Sequence, residues 1–284
     1  MLPVARPMRS VLYIPGSKER ALVKARDLDT DAIIFDLEDA VAPDEKPGAR
    51  LTLAAALVSG DYGHRLRVVR INGLETAWGA EDLLVFGAHA GVDAVLVPKV
   101  STPADLGAVA RGTDKPLWAM LETAAGMLNA AAIAQHGALQ GMVMGTNDLA
   151  RELGARHRPD RLALQAGLGL CLLAARAQGR IIVDGVYNAF QDDEGLAAEC
   201  AQGRDMGFDG KTLIHPAQLA IANAAFAPDA AEIALAERQI AAFAAAQAAG
   251  QGVAVVDGKI VENLHIVTAR ATLARAEAIA RRGA

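Results

Sequence analysis

The amino-acid sequence predicts an α/β chain: a closed (β/α)8 TIM barrel carrying a C-terminal helix-hairpin-helix extension. Three observations predict it. Eight short apolar runs alternate with longer alanine- and leucine-rich helical windows up to about residue 226, as parallel strands joined by crossover helices require. Nearly every run is followed by residues able to do chemistry, and the C-terminal ends of barrel strands are where such folds build their sites. No G-x-G-x-x-G follows the first run, so the phosphate turn of a dinucleotide-binding open sheet is missing.

The first run, "SVLYI" at 10–14, leads into Gly16 and Ser17. "AIIF" at 32–35 runs straight into Asp36, Glu38 and Asp39. Three acids at the end of a buried strand need a cation or hydrogen-bond donors to offset desolvation; on that window alone a helix N-terminus would satisfy them as well as a functional site would. "RVVRI" at 67–71 brings Arg70 and Asn72, "AVLVP" at 94–98 precedes Lys99, and "LWAML" at 117–121 precedes Glu122. "GMVMG" at 141–145 is followed by Asn147 and Asp148, "IIVD" at 181–184 ends in Asp184, and "GKTLI" at 210–214 contains Lys211 and leads to His215. One barrel face collects all these ends. The acid cluster then shares a rim with Arg70, Lys99, Glu122 and Asp148, and its cationic partners are at hand.

After residue 226 the character changes. Residues 229–249 read as one long helix, "GVAVVDGKIVE" as a hairpin around an Asp-Gly turn, and "LHIVTARATLARAEAIARR" as a final helix. The expected domains are therefore a catalytic barrel at 1–226 and an extension at 227–284 that packs, oligomerises or covers an active site, its own or a neighbour's.

With 284 residues and 52% hydrophobic composition, the chain can bury a barrel-sized core. A formal charge of -5 argues against nucleic acid or an anionic membrane as the main partner. Cys171 and Cys200 lack metal or redox spacing, which points to buried thiols and a cytoplasmic setting. The N-terminus shows no signal-peptide core, and no run of eighteen apolar residues occurs.

The motifs "RSVLYIPGS", "IIFDLEDAV", "VRIN", "VPKV", "LETAAG", "GTNDLA" and "GFDGKTLIHPAQL" occur in the order and spacing of the citrate lyase beta subunit / malyl-CoA lyase group, the CitE-like proteins of the HpcH/HpaI aldolases, and the chain resembles that family along nearly its whole length. The resemblance implies a magnesium-dependent carbon-carbon lyase. Its substrate would be a 3-hydroxyacyl thioester (citryl-, malyl- or citramalyl-CoA, or an acyl-carrier-protein form), split into an acyl thioester and a 2-oxo acid. The runner-up is a class II aldolase of free hydroxy-oxo acids; a non-catalytic ligand-binding subunit is the third possibility.

Glu122 and Asp148 match the family's metal-ligand positions, and magnesium prefers one or two carboxylates completed by water and substrate oxygens. As bare residues they would also serve as first-turn acids of the following helices. Arg70 is the candidate to stabilise the enolate left by cleavage, being always charged and presenting fixed donors; it also suits an ion pair with the Asp36 cluster. Glu38 and Asp39 would line the substrate. Lys99 is expected to pair with the rim acids, since a metal makes Schiff-base chemistry unnecessary. "PGSKER" offers Lys18 and Arg20 at a predicted helix start with Ser17 as its N-cap, an arrangement that fits a CoA phosphate; as bare residues the two cations would equally serve as solvated first-turn side chains. Two departures stand out. Where relatives usually read "AED" this chain has "TND", with Asn147 beside the retained Asp148. The tail "DGKIVE" places Glu262 where relatives carry an aspartate, delivered across a subunit interface, that moves a proton. The resemblance thus implies a homo-oligomer, a trimer or hexamer, with Glu262 as its longer acid.

Overall fold

A computed structural model describes residues 6–282, which divide into two compact units, one spanning Met8–Phe226 and the other built mainly from residues after Ala227. In the first unit eight parallel strands close into a barrel in sequence order: β1 (Ser10–Pro15), β2 (Ala32–Asp36), β3 (Leu66–Arg70), β4 (Ala94–Val97), β5 (Leu117–Leu121), β6 (Leu139–Met144), β7 (Ile181–Asp184) and β8 (Gly210–Leu213), with β8 returning to pair with β1. The fold class expected from the sequence is the one observed. Every apolar run becomes a strand, with ends within two residues of the expected ones.

The helices between them are α1 (Glu19–Lys24), α2 (Lys46–Ser59), α3 (Gly79–Phe86), α4 (Pro103–Ala110), α5 (Ala124–Leu128), α6 (Ala130–Ala134), α7 (Thr146–Glu152), α8 (Gln165–Ala177), α9 (Asp193–Met206) and α10 (Leu219–Ala225). Strand side chains alternate between two buried surfaces. One set, including Val11, Ile34, Val68, Leu96, Trp118, Val143 and Val183, fills the barrel interior; the other, including Leu12, Ile33, Val69, Val95, Leu121 and Ile182, packs beneath the helices. Because both faces are covered, the strands read as continuous apolar runs rather than as an alternation. Trp118 is fully buried within the barrel, and Gly141 on the next strand makes room for it: a Cβ there would sit 2.6 Å from the indole.

The same alternation selects what reaches the mouth. Tyr13, Asp36, Arg70 and Glu122 each lie two residues beyond an inward-facing apolar residue, Val11, Ile34, Val68 and Met120, so their side chains continue the interior column to its C-terminal end. Asp184 and Lys211 fall on the other parity. They meet each other at 3.1 Å, with Lys211 also bound to Glu199 of α9 at 2.6 Å and Asp184 to Arg161 at 2.7 Å. The expectation that these two ends join the active rim is therefore corrected: they form a buried ion network under α9.

The second unit contains α11 (Ala230–Ala248), the antiparallel pair β9 (Ala254–Val256) and β10 (Lys259–Val261), and α12 (Asn263–Ala280). Asp257 and Gly258 both have positive φ, 51° and 75°, as a two-residue type I′ hairpin turn demands. Phe243 of α11, Ala254 and Val261 of the hairpin and Ile266 of α12 form its small core.

Candidate active site

The centre of the barrel mouth is Arg70. Its Nε donates to Asp36 Oδ1 at 2.7 Å and its Nη2 to Asp36 Oδ2 at 2.6 Å. Nη1 lies 2.8 Å from Glu38 Oε2 and only loosely, at 3.4 Å, from Asp39 Oδ2. The guanidinium carbon sits 5.2 Å from the ring centroid of Tyr13, within cation–π range. Burial would lower the Arg70 pKa, but Asp36 more than compensates and holds it well above its ordinary value, so the charge is permanent. The three acids that open the puzzle of β2 thus share one arginine. Asp36 also accepts the backbone N–H groups of Glu38 and Ala40 at 2.9 and 3.0 Å, so the capping reading holds for this residue as well, within a loop instead of a helix.

Two lysines complete the cluster. Lys99 Nζ pairs with Glu38 Oε1, as expected from the sequence. Buried Lys46 donates to the carbonyls of Leu37 and Glu38 at 3.0 and 2.7 Å and to Asn72 Oδ1 at 2.6 Å, pinning the acid loop from below. Burial pushes the Glu38 carboxyl up, further than Arg70 and Lys99 pull it down. For Asp39 the balance reverses: burial raises it, but the charges of Arg70, Lys99 and Lys46 and a hydrogen bond with Glu38 hold it below the ordinary carboxylate range.

Glu122 and Asp148 stand on the opposite side. Glu122 is buried; its Oε1 accepts the Lys99 N–H at 2.8 Å, while Oε2 is buried with no hydrogen-bond partner. Lys99 reaches that geometry with a φ of 52°, a left-handed conformation uncommon outside glycine. Burial pushes the Glu122 carboxyl up to about 8, with Glu38 and Asp148 adding to the shift against Arg70 and the Lys99 N–H. Gly145 is the cradle: a Cβ there would lie 2.6 Å from Glu122 Oε2. Asp148, half-buried in the first turn of α7, pairs with Arg151. An orphaned carboxylate oxygen beside a second carboxylate is the donor set a hard divalent cation takes. Among the described residues no group of three or more His, Cys, Asp or Glu side chains forms a complete cage, which suits magnesium, a metal that keeps several waters.

A cavity of about 280 Å³ opens between these groups, lined by Tyr13, Asp39, Arg70 and Asp148 and by the apolar Met120 and Ile214. Sites that enclose drug-sized ligands run to about 300–1,000 Å³, so this cavity accommodates a small group, and anything longer must extend outside it. Residues 9–216 match HpcH/HpaI aldolase/citrate lyase. The chain belongs to that family.

Among the relatives, a (3S)-malyl-CoA thioesterase of Cereibacter sphaeroides is 74% identical over 277 residues, covering 97% of each chain. An L-malyl-CoA/beta-methylmalyl-CoA lyase of the same species is 34% identical over 308 residues, covering 98% of this chain and 97% of the other. The crystal structure of CitE from Mycobacterium tuberculosis in complex with magnesium, acetoacetate and coenzyme A superposes with a TM-score of 0.82 at 32% identity, covering 96% of this chain and 98% of that one. The named relatives are enzymes, and this member of the HpcH/HpaI family is an enzyme of the same lyase-like group.

Asn147 lines the mouth cavity, whereas Ser17, Lys18, Arg20 and His215 of the same unit are not among its lining residues. Lys18 and Arg20 are exposed at the start of the six-residue α1, with Lys18 Nζ 3.8 Å from Glu45. Ser17 is not the N-cap; Lys18 occupies that position and the Ser17 hydroxyl is buried without a partner. Glu262 belongs to the second unit, exposed at the N-cap of α12, where its N–H donates to His265 Nδ1 at 3.0 Å. Asn147 exchanges two hydrogen bonds, 3.1 and 2.8 Å, with Asn188. His215 Nδ1 caps the Ala217 N–H and its ring packs on Phe190, a structural role. Lys46, Tyr13, Gly145 and Asn188 escaped the sequence reading; of these, only Tyr13, at the inward parity of "SVLYI", and Gly145, directly after β6, left a periodicity or turn signal.

Proposed function

We propose that this enzyme is a magnesium-dependent hydrolase of a malyl-CoA-type thioester, cleaving the bond between the carbonyl carbon and sulfur of a short 3-hydroxyacyl-CoA. The observation that carries the reading is the 74% identity over 97% of both chains to a (3S)-malyl-CoA thioesterase. The cavity size supports it, since the acyl end fits inside and the nucleotide end extends away, where exposed Lys18 and Arg20 suit its phosphates. Magnesium at Glu122 and Asp148 would supply a Lewis-acidic anchor for substrate oxygens. Arg70 presents Nη1, whose contact with Asp39 is long at 3.4 Å, to the thioester oxygen and stabilises the charge that develops there. Asp36 fixes the guanidinium plane, and the apolar wall of Met120 and Ile214 limits water around it.

A second reading keeps the carbon-carbon lyase chemistry that the sequence resemblance implies. It is favoured by the 34% identical malyl-CoA lyase, and the same Arg70 donor would then hold an enolate. In that reading the tail works between subunits of a homotrimer or hexamer, with Glu262 entering a neighbour's mouth as proton carrier. The free, buried thiols of Cys171 and Cys200 fit a cytoplasmic setting.

Product analysis separates the readings. With malyl-CoA and magnesium, hydrolysis yields free CoA thiol and malate, whereas lyase cleavage yields acetyl-CoA and glyoxylate. Free thiol stoichiometric with malate is expected. Acetyl-CoA and glyoxylate as sole products would overturn the hydrolase and leave the lyase.

A further inference from the structure

Three carboxylates line the mouth cavity: Asp36, Asp39 and Asp148. They are not equivalent. Asp36 has side-chain exposure of 1% and spends both oxygens on Arg70 and on two loop N–H groups. Asp148 stands with the orphaned Glu122 oxygen as the second member of the cation-binding pair. Asp39 is left, with side-chain exposure of 57% and the weakest hold on Arg70, 3.4 Å against 2.6–2.8 Å for the other two acids. Both Asp39 and Arg70 line the cavity, and Nη1, which stays 2.8 Å from Glu38, can exchange its long contact with Asp39 for a ligand oxygen.

We infer that Asp39 is the general base of thioester hydrolysis, released from Arg70 when the substrate carbonyl takes its place on Nη1 and positioned beside the carbonyl carbon to deprotonate the attacking water. The inference rests on the hydrolase reading above. In the first step Asp39 accepts one proton from water as the water oxygen bonds to the carbonyl carbon, and the carbonyl π pair moves onto the oxygen facing Arg70. In the second the carbonyl re-forms and the carbon–sulfur bond breaks. The thiolate leaves with that electron pair and takes the proton from the Asp39 carboxyl, which returns to carboxylate. A single group serves as base and then acid, with no further reactant than water.

The test uses the full-length, magnesium-loaded enzyme with malyl-CoA, following free thiol. Asp39→Asn, similar in shape and unable to accept the proton, is expected to lower kcat by about 100-fold or more while KM stays within about three-fold. Asp39→Ala opens space, and added formate is expected to restore part of its rate in a saturable manner, a response that only a folded enzyme lacking a base would give. An Asp39→Asn kcat within about three-fold of wild type, a rise in KM at unchanged kcat, or no rescue by formate would overturn the assignment. If the wild-type enzyme releases no free thiol, the hydrolase reading fails first and the role of Asp39 falls with it; wild-type hydrolysis with an indifferent Asp39 overturns this inference alone.

Discussion

Asp36 and Arg70 are register partners at the C-terminal ends of β2 and β3, and their side chains close a two-bond fork of 2.7 and 2.6 Å across the strands. Parallel pairing places both on the barrel's inner surface, so the backbone ladder itself aims the guanidinium at the cavity. Its planar donors match the carboxylate in a way an ammonium does not.

Arg70→Lys is therefore expected to keep the charge and lose function. One Nζ cannot serve Asp36 on two oxygens while reaching Glu38 and the cavity, so kcat should fall by about 100-fold or more, the scale of losing an oxyanion donor. Magnesium affinity should change little, because Arg70 touches neither Glu122 nor Asp148 through a hydrogen bond. Near-normal kcat in this variant would reduce Arg70 to a structural partner of the acids.

Glu122→Ala and Asp148→Ala are each expected to abolish measurable magnesium binding by calorimetry. The two should differ in stability. Glu122 buries an oxygen with no partner, an arrangement whose desolvation cost is about 1–3 kcal/mol, so the metal-free Glu122→Ala protein should melt at or above the wild-type temperature. Retained magnesium affinity in both variants would remove these residues from the metal site.

Gly145→Ala tests the cradle. The new Cβ would fall 2.3 Å from the Glu122 Cβ, closer than any real contact, and the carboxylate must move. Magnesium affinity should drop by about ten-fold or more, the scale seen when groups supporting metal ligands are lost, with the barrel still folded by circular dichroism. Unchanged affinity would mean that the Glu122 side chain has room that the packing does not show.

Much of this was legible in the sequence because the barrel makes position and chemistry the same question. Period-two counting from Val11, Ile34 and Val68 delivers Tyr13, Asp36 and Arg70 to the interior, and the runs themselves mark the ends. The same counting would have removed Asp184 and Lys211 from the rim, since each follows an inward residue by one and not two. Lys46 was not legible: it lies in a helix start among other charges, and only the fold brings its ammonium under the Leu37 and Glu38 carbonyls. Asn188 sits in a loop with no periodic signal, and its partner Asn147 is recognisable only as a departure. The reaction was the least legible part, because a polarised thioester carbonyl serves hydrolysis and carbon-carbon cleavage alike.

The buried network under α9 gives a stability test with a pH signature. Burial would raise the Asp184 carboxyl, but Lys211 and Arg161 outweigh it and hold it below the ordinary range. A depressed folded-state pKa contributes stability that is present above the unfolded value, about 3.9 for Asp, and is lost as pH falls through the folded value. Lys211→Met should destabilise by about 3–5 kcal/mol at neutral pH, the cost of leaving a buried ion short of a partner. The gap to wild type in denaturant titrations should narrow below about pH 4. A gap that stays constant with pH would place the effect of Lys211 in packing alone.

The tail carries the last prediction. Glu262 stands exposed at the N-cap of α12, and the proposal that it serves a neighbour's mouth in a trimer or hexamer has a consequence that no single-chain role shares. Under the lyase reading, in which Glu262 moves a proton during turnover, Glu262→Gln and Arg70→Ala should each be inactive as homo-oligomers. When the two variants are dissociated, mixed and reassembled, some mouths receive a wild-type Arg70 from one chain and a wild-type Glu262 from the next, and partial activity should return. Total protein must be held constant so that mass action does not alter the assembly. Verified mixed oligomers without activity, or full activity in a monomer, would confine Glu262 to its own chain or to no catalytic role.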